Sequence, residues 1–239
     1  LWSVLREAPT QDLGFSGWEA VHAIHAYRHR DEFDVIHDHG PLVGPAVAAA
    51  TAGSAVVHTV HNPWTILPEE YYSLVAPRVH LVAVSHDHAR RAPGRVSVAA
   101  VVHNGIPVDR FPLVEGKDDF LLFVGRADPE KGPEVAIEVA RRLGRRLVMA
   151  VKALDAAGHR YLADVLARWR GADVELLEEV PQEEKLELMG RAATLVFPIR
   201  WPEPFGLVMT EANACGTPVV AFDRGAASEV IAHGRSGYV

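Results

Sequence analysis

The chain has 239 residues, 49% of them apolar, with 24 Lys and Arg against 31 Asp and Glu and a formal net charge of −7. That acidic balance, with no long basic run, argues against nucleic acid or an anionic membrane as the main partner. No apolar stretch reaches the ~18 residues of a membrane span, and the one cysteine, Cys215, cannot form an internal disulfide and points to a reducing, cytoplasmic setting. The first residues are Leu1-Trp2-Ser3, without Met, and the last are Gly237-Tyr238-Val239, where a strand begins, so both ends read as cut.

Taken in chain order, a helical pattern over 17–30 precedes short β-branched runs at 34–37, 55–60, 80–85 and 96–102. Gly, Pro and charge without periodicity fill 104–119. Apolar runs then recur at 120–125, 146–151, 172–177, 194–198 and 217–222, with helix-length segments at 133–144, 158–171, 181–192 and 205–214 between them. Near-continuous apolar strands joined by helical crossovers predict parallel sheets covered on both faces, the doubly wound α/β class. The expected organisation is an N-terminal Rossmann-like domain over 1–108, a linker over 109–119 and a second Rossmann-like domain over 120–239.

Ligands of open parallel sheets bind beyond the carboxyl ends of the strands, so the segments after strands carry the candidate chemistry. After 120–125 comes GRADPEKGPE, with Gly125, Arg126 and Lys131 on a loop that opens a helix. Two cations beside a helix N-terminus make an anion site. The glycine spacing is not that of a Walker A loop, and no G-x-G-x-x-G follows a strand, which argues against a dinucleotide enzyme. After 194–198 comes PIRWPEPFG, with Glu203, and then Phe205, Gly206 and Leu207 at a helix start. Inside that helix Glu211 sits among Leu207, Val208, Met209, Ala212 and Ala214, with no Lys or Arg within a turn. An unpaired carboxylate held against a sheet costs several kcal/mol. The chain supplies no obvious partner nearby, so Glu211 calls for one from a ligand.

Glu203-Pro-Phe-Gly through Glu211, followed by Ala-Cys-Gly-Thr-Pro-Val, resembles the E-x7-E block of retaining glycosyltransferases of the GT-B fold (family 4, glycosyl transferases group 1). Gly125-Arg126 and Lys131-Gly132 resemble the diphosphate loop of that family, and His61, Ser85 and Asn104-Gly105-Ile106 match weaker motifs. The resemblance implies two Rossmann-like domains facing a cleft, of which the N-terminal one is incomplete. It implies transfer of a hexosyl group from a UDP- or GDP-type sugar to an acceptor hydroxyl, with retention through attack on the leaving-group face. Arg126 and Lys131 would stabilise the departing diphosphate, Glu211 would accept hydrogen bonds from the ribose, Glu203 would lie by the transferred sugar, and His61 would approach it from the other domain. The base would lie near Val180-Pro181. The absence of any Asp-x-Asp is consistent with metal-independent catalysis and no cofactor beyond the donor substrate.

Three rivals stay in view. His37-x-His39 and His86-x-His88 at strand ends could open a metal-hydrolase site. An epimerase or phosphorylase could share the fold, and an inactive nucleotide-binding fragment could share the site.

Overall fold

The computed structural model describes residues 16–40 and 42–239; the part of the expected first domain over residues 1–15 lies outside the described residues. The chain divides between His103 and Asn104 into two compact units.

The first unit opens with α1 (Ser16–Tyr27) and carries β1 (Val35–Asp38), α2 (Val43–Ala50), β2 (Ala55–Val60), α3 (Glu69–Val75), β3 (His80–Ala83), α4 (His86–Arg90) and β4 (Val98–Val101). The four strands among its described residues are parallel, in the order β1-β2-β3-β4. Val56, Val60, Trp64, Tyr72, Val75 and Leu81 form its core. Arg30 is buried, and its guanidinium donates to the carbonyls of Ala48, Thr51 and Ser54. A buried charge of this kind holds only when its donors are used.

The second unit continues with β5 (Phe120–Arg126), α5 (Pro133–Leu143), β6 (Arg146–Lys152), α6 (Ala156–Arg168), β7 (Val174–Glu178), α7 (Gln182–Arg191), β8 (Thr194–Phe197), α8 (Leu207–Ala214), β9 (Val219–Ala221), α9 (Ala227–Val230) and β10 (Gly237–Tyr238). All six strands are parallel, in the order β10-β9-β8-β5-β6-β7. Leu122 on β5 packs with Val148, Leu195 and Met209 on one face, and its neighbours Leu121 and Phe123 pack with Leu147, Met149 and Ile137 on the other. Successive strand residues point to opposite faces, so a sheet buried on both sides requires the unbroken apolar runs seen in the sequence. The parallel α/β expectation holds in both units; the doubly wound order, with its reversal between β5 and β8, is seen in the second, whereas the described strands of the first follow one another in a single direction.

Residues 109–119, expected as a linker, run along the second unit. Lys117 Nζ donates to Gly190 O (2.6 Å), Cys215 O (2.9 Å) and Thr217 Oγ1 (3.0 Å). Its ammonium thereby neutralises carbonyls left unpaired at the C-terminal ends of α7 and α8. Among the described residues no helix is long and apolar enough to cross a membrane.

Candidate functional site

In the second unit the chain runs from β5 to β6 and β7 in one direction and returns to β8, β9 and β10 in the other. The order reverses between β5 and β8, and the crevice outside the carboxyl ends of two such strands is where open α/β sheets take ligands. The two loops at that point lock onto each other. Gly132 ends the β5 loop at φ 70°, and a Cβ there would stand 2.5 Å from Pro198 O at the end of β8. Only glycine allows that approach at that angle. Arg200 N donates to Glu130 O at 2.8 Å, joining the loops again.

A cavity of about 420 Å³ opens there. Its wall takes Val124, Gly125, Arg126 and Lys131 from β5 and its loop, and Ala150, Val151 and Lys152 from the end of β6. Glu179 and Val180 come from the β7–α7 turn, Gln182 and Lys185 from the start of α7, and Phe197, Glu203, Gly206, Leu207, Val208 and Glu211 from β8, α8 and the loop between them. Every expected site residue of this unit lines the cavity except Phe205, whose side chain is buried at 5% exposure. By helix geometry the first N–H groups of α8 lack an intrahelical acceptor, and Gly206, Leu207 and Val208 bring that end of the helix to the wall.

The charges of the wall are arranged in pairs. Lys131 Nζ bonds Glu203 Oε2 and lies 5.0 Å from the centroid of the Trp201 ring, so it is held by a carboxylate and an aromatic face together. Lys185 Nζ donates to Glu211 Oε2 at 3.1 Å, and Lys152 Nζ lies 3.5 Å from Glu179 Oε2. Arg126 has no carboxylate partner among the described residues. Three Lys–Glu pairs cancel and one guanidinium remains, so the cavity carries one net positive charge.

Two points of the sequence reading change. Glu211 has a protein partner, Lys185, which stands 26 residues earlier on another helix, so a ligand is not needed to account for its charge. Lys131 is engaged by Glu203 instead of being an unpaired cation. The reading also passed over Lys152, Glu179 and Gln182. All three follow strands β6 and β7, and the rule that located Arg126 and Glu203 would have found them. Glu179 is the one non-glycine residue with positive φ (55°) among the described residues. Lys185 has no such signal, since it lies one turn inside α7.

His61 belongs to the first unit. It lines a smaller cavity of about 220 Å³ with His39, His58, Asn62, Tyr71 and Tyr72. His39 Nδ1 and His61 Nε2 share a hydrogen bond of 2.8 Å. Burial, with the neighbouring imidazoles, lowers the pKa of His61, and burial lowers that of His39. Beneath them Asp38 accepts from Tyr27 Oη (2.9 Å) and Gly40 N (2.7 Å) and faces His58 Nδ1 at 3.2 Å. His37 bonds Thr59 Oγ1 and joins no set of three converging metal ligands among the described residues, while His88 is 2% exposed and bonds Asn62 O.

The family model "Glycosyl transferases group 1" matches residues 106–239, and "Glycosyltransferase Family 4" matches 4–110. The chain belongs to the group 1 glycosyl transferase family, with the two parallel-sheet units of the GT-B fold. It is 31% identical to a D-inositol 3-phosphate glycosyltransferase of Nocardiopsis dassonvillei, covering 87% of this chain and 58% of the relative. It is 35% identical to D-inositol 3-phosphate glycosyltransferase 2 of Catenulispora acidiphila, covering 86% and 58%. The chain thus spans less than two thirds of the length of these relatives. Among solved structures it is similar to AviGT4, a glycosyltransferase involved in avilamycin A biosynthesis, at 26% identity and TM-score 0.68, covering 87% of this chain and 61% of that one. Anabaena Alr3699/HepE in complex with UDP and glucose shares the fold at 20% identity and TM-score 0.77, covering 95% and 70%.

Proposed function

We propose that this chain carries the donor site of an enzyme that transfers a hexosyl group from a nucleoside diphosphate sugar to an acceptor hydroxyl. The observation that carries the reading is the unpaired Arg126 in a cavity at the strand-order reversal, beside the N-terminus of α8. When the anomeric carbon leaves the phosphate oxygen, negative charge grows on the diphosphate. Arg126, Lys131 and the free N–H groups of α8 would stabilise it; a hydrogen bond to a charged group contributes roughly 1.5–3 kcal/mol. Lys131 would trade part of its bond with Glu203 for a phosphate oxygen, leaving Glu203 to the developing positive charge of the sugar. Glu211 would accept from the ribose and Val180 would lie near the base. His61 keeps the role that the family resemblance gives it, toward the transferred sugar.

The UDP and glucose named with the HepE structure support a UDP-type donor. The relatives' name makes D-inositol 3-phosphate the first acceptor to assay. The likeness of the E-x7-E block supports retention, and the lack of Asp-x-Asp is consistent with metal independence, with Arg126 and Lys131 in the place of a cation. A nucleotide-sugar donor goes with a cytoplasmic site of action.

The test is incubation of the purified protein with UDP- and GDP-sugars and D-inositol 3-phosphate, in buffer with and without EDTA, following nucleoside diphosphate release and the anomeric configuration of the product by NMR. Release with a new α-glycoside from an α-donor, unaffected by EDTA, is expected. An isomerised donor would replace the reading with epimerisation. Because the chain spans 58% of its relatives, a nucleotide-binding piece without turnover is the second reading; it is the outcome if UDP or GDP binds and no diphosphate is released.

A further inference from the structure

Lys185 and Glu211 come from different helices, α7 and α8, which pack into one core through Leu186, Leu188, Met209 and Ala212. Their side chains are largely covered, at 21% and 14% exposure, and both line the cavity. The bond between them uses one N–H of the ammonium and one carboxylate oxygen, Oε2. Among the described residues the remaining N–H donors of Lys185 and the other oxygen of Glu211 have no protein partner.

We propose that Lys185 is a positioning residue: it fixes the carboxylate that Glu211 offers to the ribose in the reading above, and it adds its own remaining N–H donors to the hold on the 2′- and 3′-hydroxyls. The inference rests on the donor-site reading above and names how that site recognises its ligand.

The chemistry of the pair is complementary to a diol. An ionised carboxylate only accepts and an ammonium only donates, whereas each hydroxyl does both. A diol set against the pair donates a hydrogen bond to the free oxygen of Glu211 and accepts one from Lys185, so neither hydroxyl is buried unsatisfied. The ammonium also offsets part of the cost of covering the carboxylate. An acceptor already held in place spares the ligand the cost of ordering it. A solvent-exposed pair would do none of this, because water would compete for both groups.

The experiment compares UDP or GDP, whichever binds the wild-type protein more tightly, with its 2′,3′-dideoxy counterpart, by titration calorimetry. The proteins are wild type, Lys185→Met, Lys185→Arg, Glu211→Gln and the Lys185→Met/Glu211→Gln double variant, each checked for an unchanged thermal melt of the fold. Wild type prefers the ribonucleotide. Lys185→Met weakens the ribonucleotide by about tenfold, the scale of one charged hydrogen bond, and leaves the dideoxynucleotide within about twofold, so the preference collapses. Lys185→Arg keeps most of it, and adding Lys185→Met to Glu211→Gln costs little more. Equal weakening of both nucleotides by Lys185→Met would mean general attraction of phosphate and would overturn the inference, as would an undiminished preference for the ribonucleotide. Either result leaves the donor site standing. A wild-type protein that binds neither UDP nor GDP at millimolar concentration would remove the donor-site reading, and this inference with it.

Discussion

Gly225 rests directly on the backbone of Glu203: a Cβ at 225 would stand 2.2 Å from Glu203 O and 2.3 Å from Glu203 N. Gly225 adopts φ 58°, and the next residue, Ala226, donates its N–H to Glu203 O at 3.0 Å. The loop after β9 thus sets the height of the loop after β8, and Glu203 is held by a residue that never touches the cavity.

Gly225→Ala therefore forces the two loops apart. The strain of a side chain at that angle, together with the overlap, costs about 2–3 kcal/mol. The expected result is a Tm lower by several degrees and a fall in turnover that exceeds the fall in nucleotide affinity, measured by calorimetric melting and by initial rates. Wild-type rate and Tm would show that the loops yield freely.

Arg126 is the one wall cation without a carboxylate partner among the described residues, so its loss is not buffered by a neighbour. Arg126→Ala is expected to lower turnover by about 10²-fold, the scale of losing one transition-state donor. Arg126→Lys should recover only part, because the bidentate fork is lost. Rates of diphosphate release from the donor sugar measure both.

Removal of Lys117 should act on stability and leave the chemistry alone. Its ammonium serves three oxygens at the ends of α7 and α8. Lys117→Met keeps the stem and strands those acceptors, for a loss of about 3 kcal/mol. Denaturant titration of the variant checks the loss, and kcat for the folded fraction should stay within about twofold.

Acid should weaken the first unit in two stages. Burial pushes the pKa of His88 down to about 4 from its ordinary 6.5, so between those values the unfolded chain binds a proton that the folded chain refuses. Stability from this group is complete above pH 6.5 and drains as pH falls toward 4, with a slope of up to about 1.4 kcal/mol per pH unit. The lowered His61 and His39 add to the same window in the same sense. Asp38 acts later. Burial raises its pKa, but bonds from His58, Tyr27 and Gly40 outweigh that and hold it below the usual carboxylate value. Its contribution is present above the unfolded value of 3.8 and is lost as pH falls through the folded one. Melting curves from pH 7 to 3 test this: His88→Gln should make the upper stage shallower, the rest of it remaining with His61 and His39, and leave the lower one.

The strands were legible because a parallel sheet buried on both faces needs apolar residues at every position, and runs such as FLLFVG and RLVMAV admit few other readings. The helices with clear amphipathic stripes, α5 to α7, were legible for the same reason. The reading did not single out α2, where Val43, Pro45 and a row of alanines present no polar face, nor the short α3, α4 and α9. Arg126, Lys131 and Glu203 could be found because they end or follow strands, and the parallel topology gathers such ends at one side; Glu211, inside α8, stood out as a carboxylate among apolar neighbours.

The sequence by itself determined which residue types stand at the carboxyl edge of the second sheet. It could not determine which charge meets which. A search along a helix sees neighbours three and four residues away, whereas Glu211 meets Lys185 only because α7 and α8 pack side by side. Lys131 meets Glu203, and Glu203 meets Gly225, only because the strand order reverses and brings three loops together. Pairing energies fall off within a few ångströms, so the charge left over for a ligand is a property of the packed fold, and the tertiary structure decided that it is Arg126.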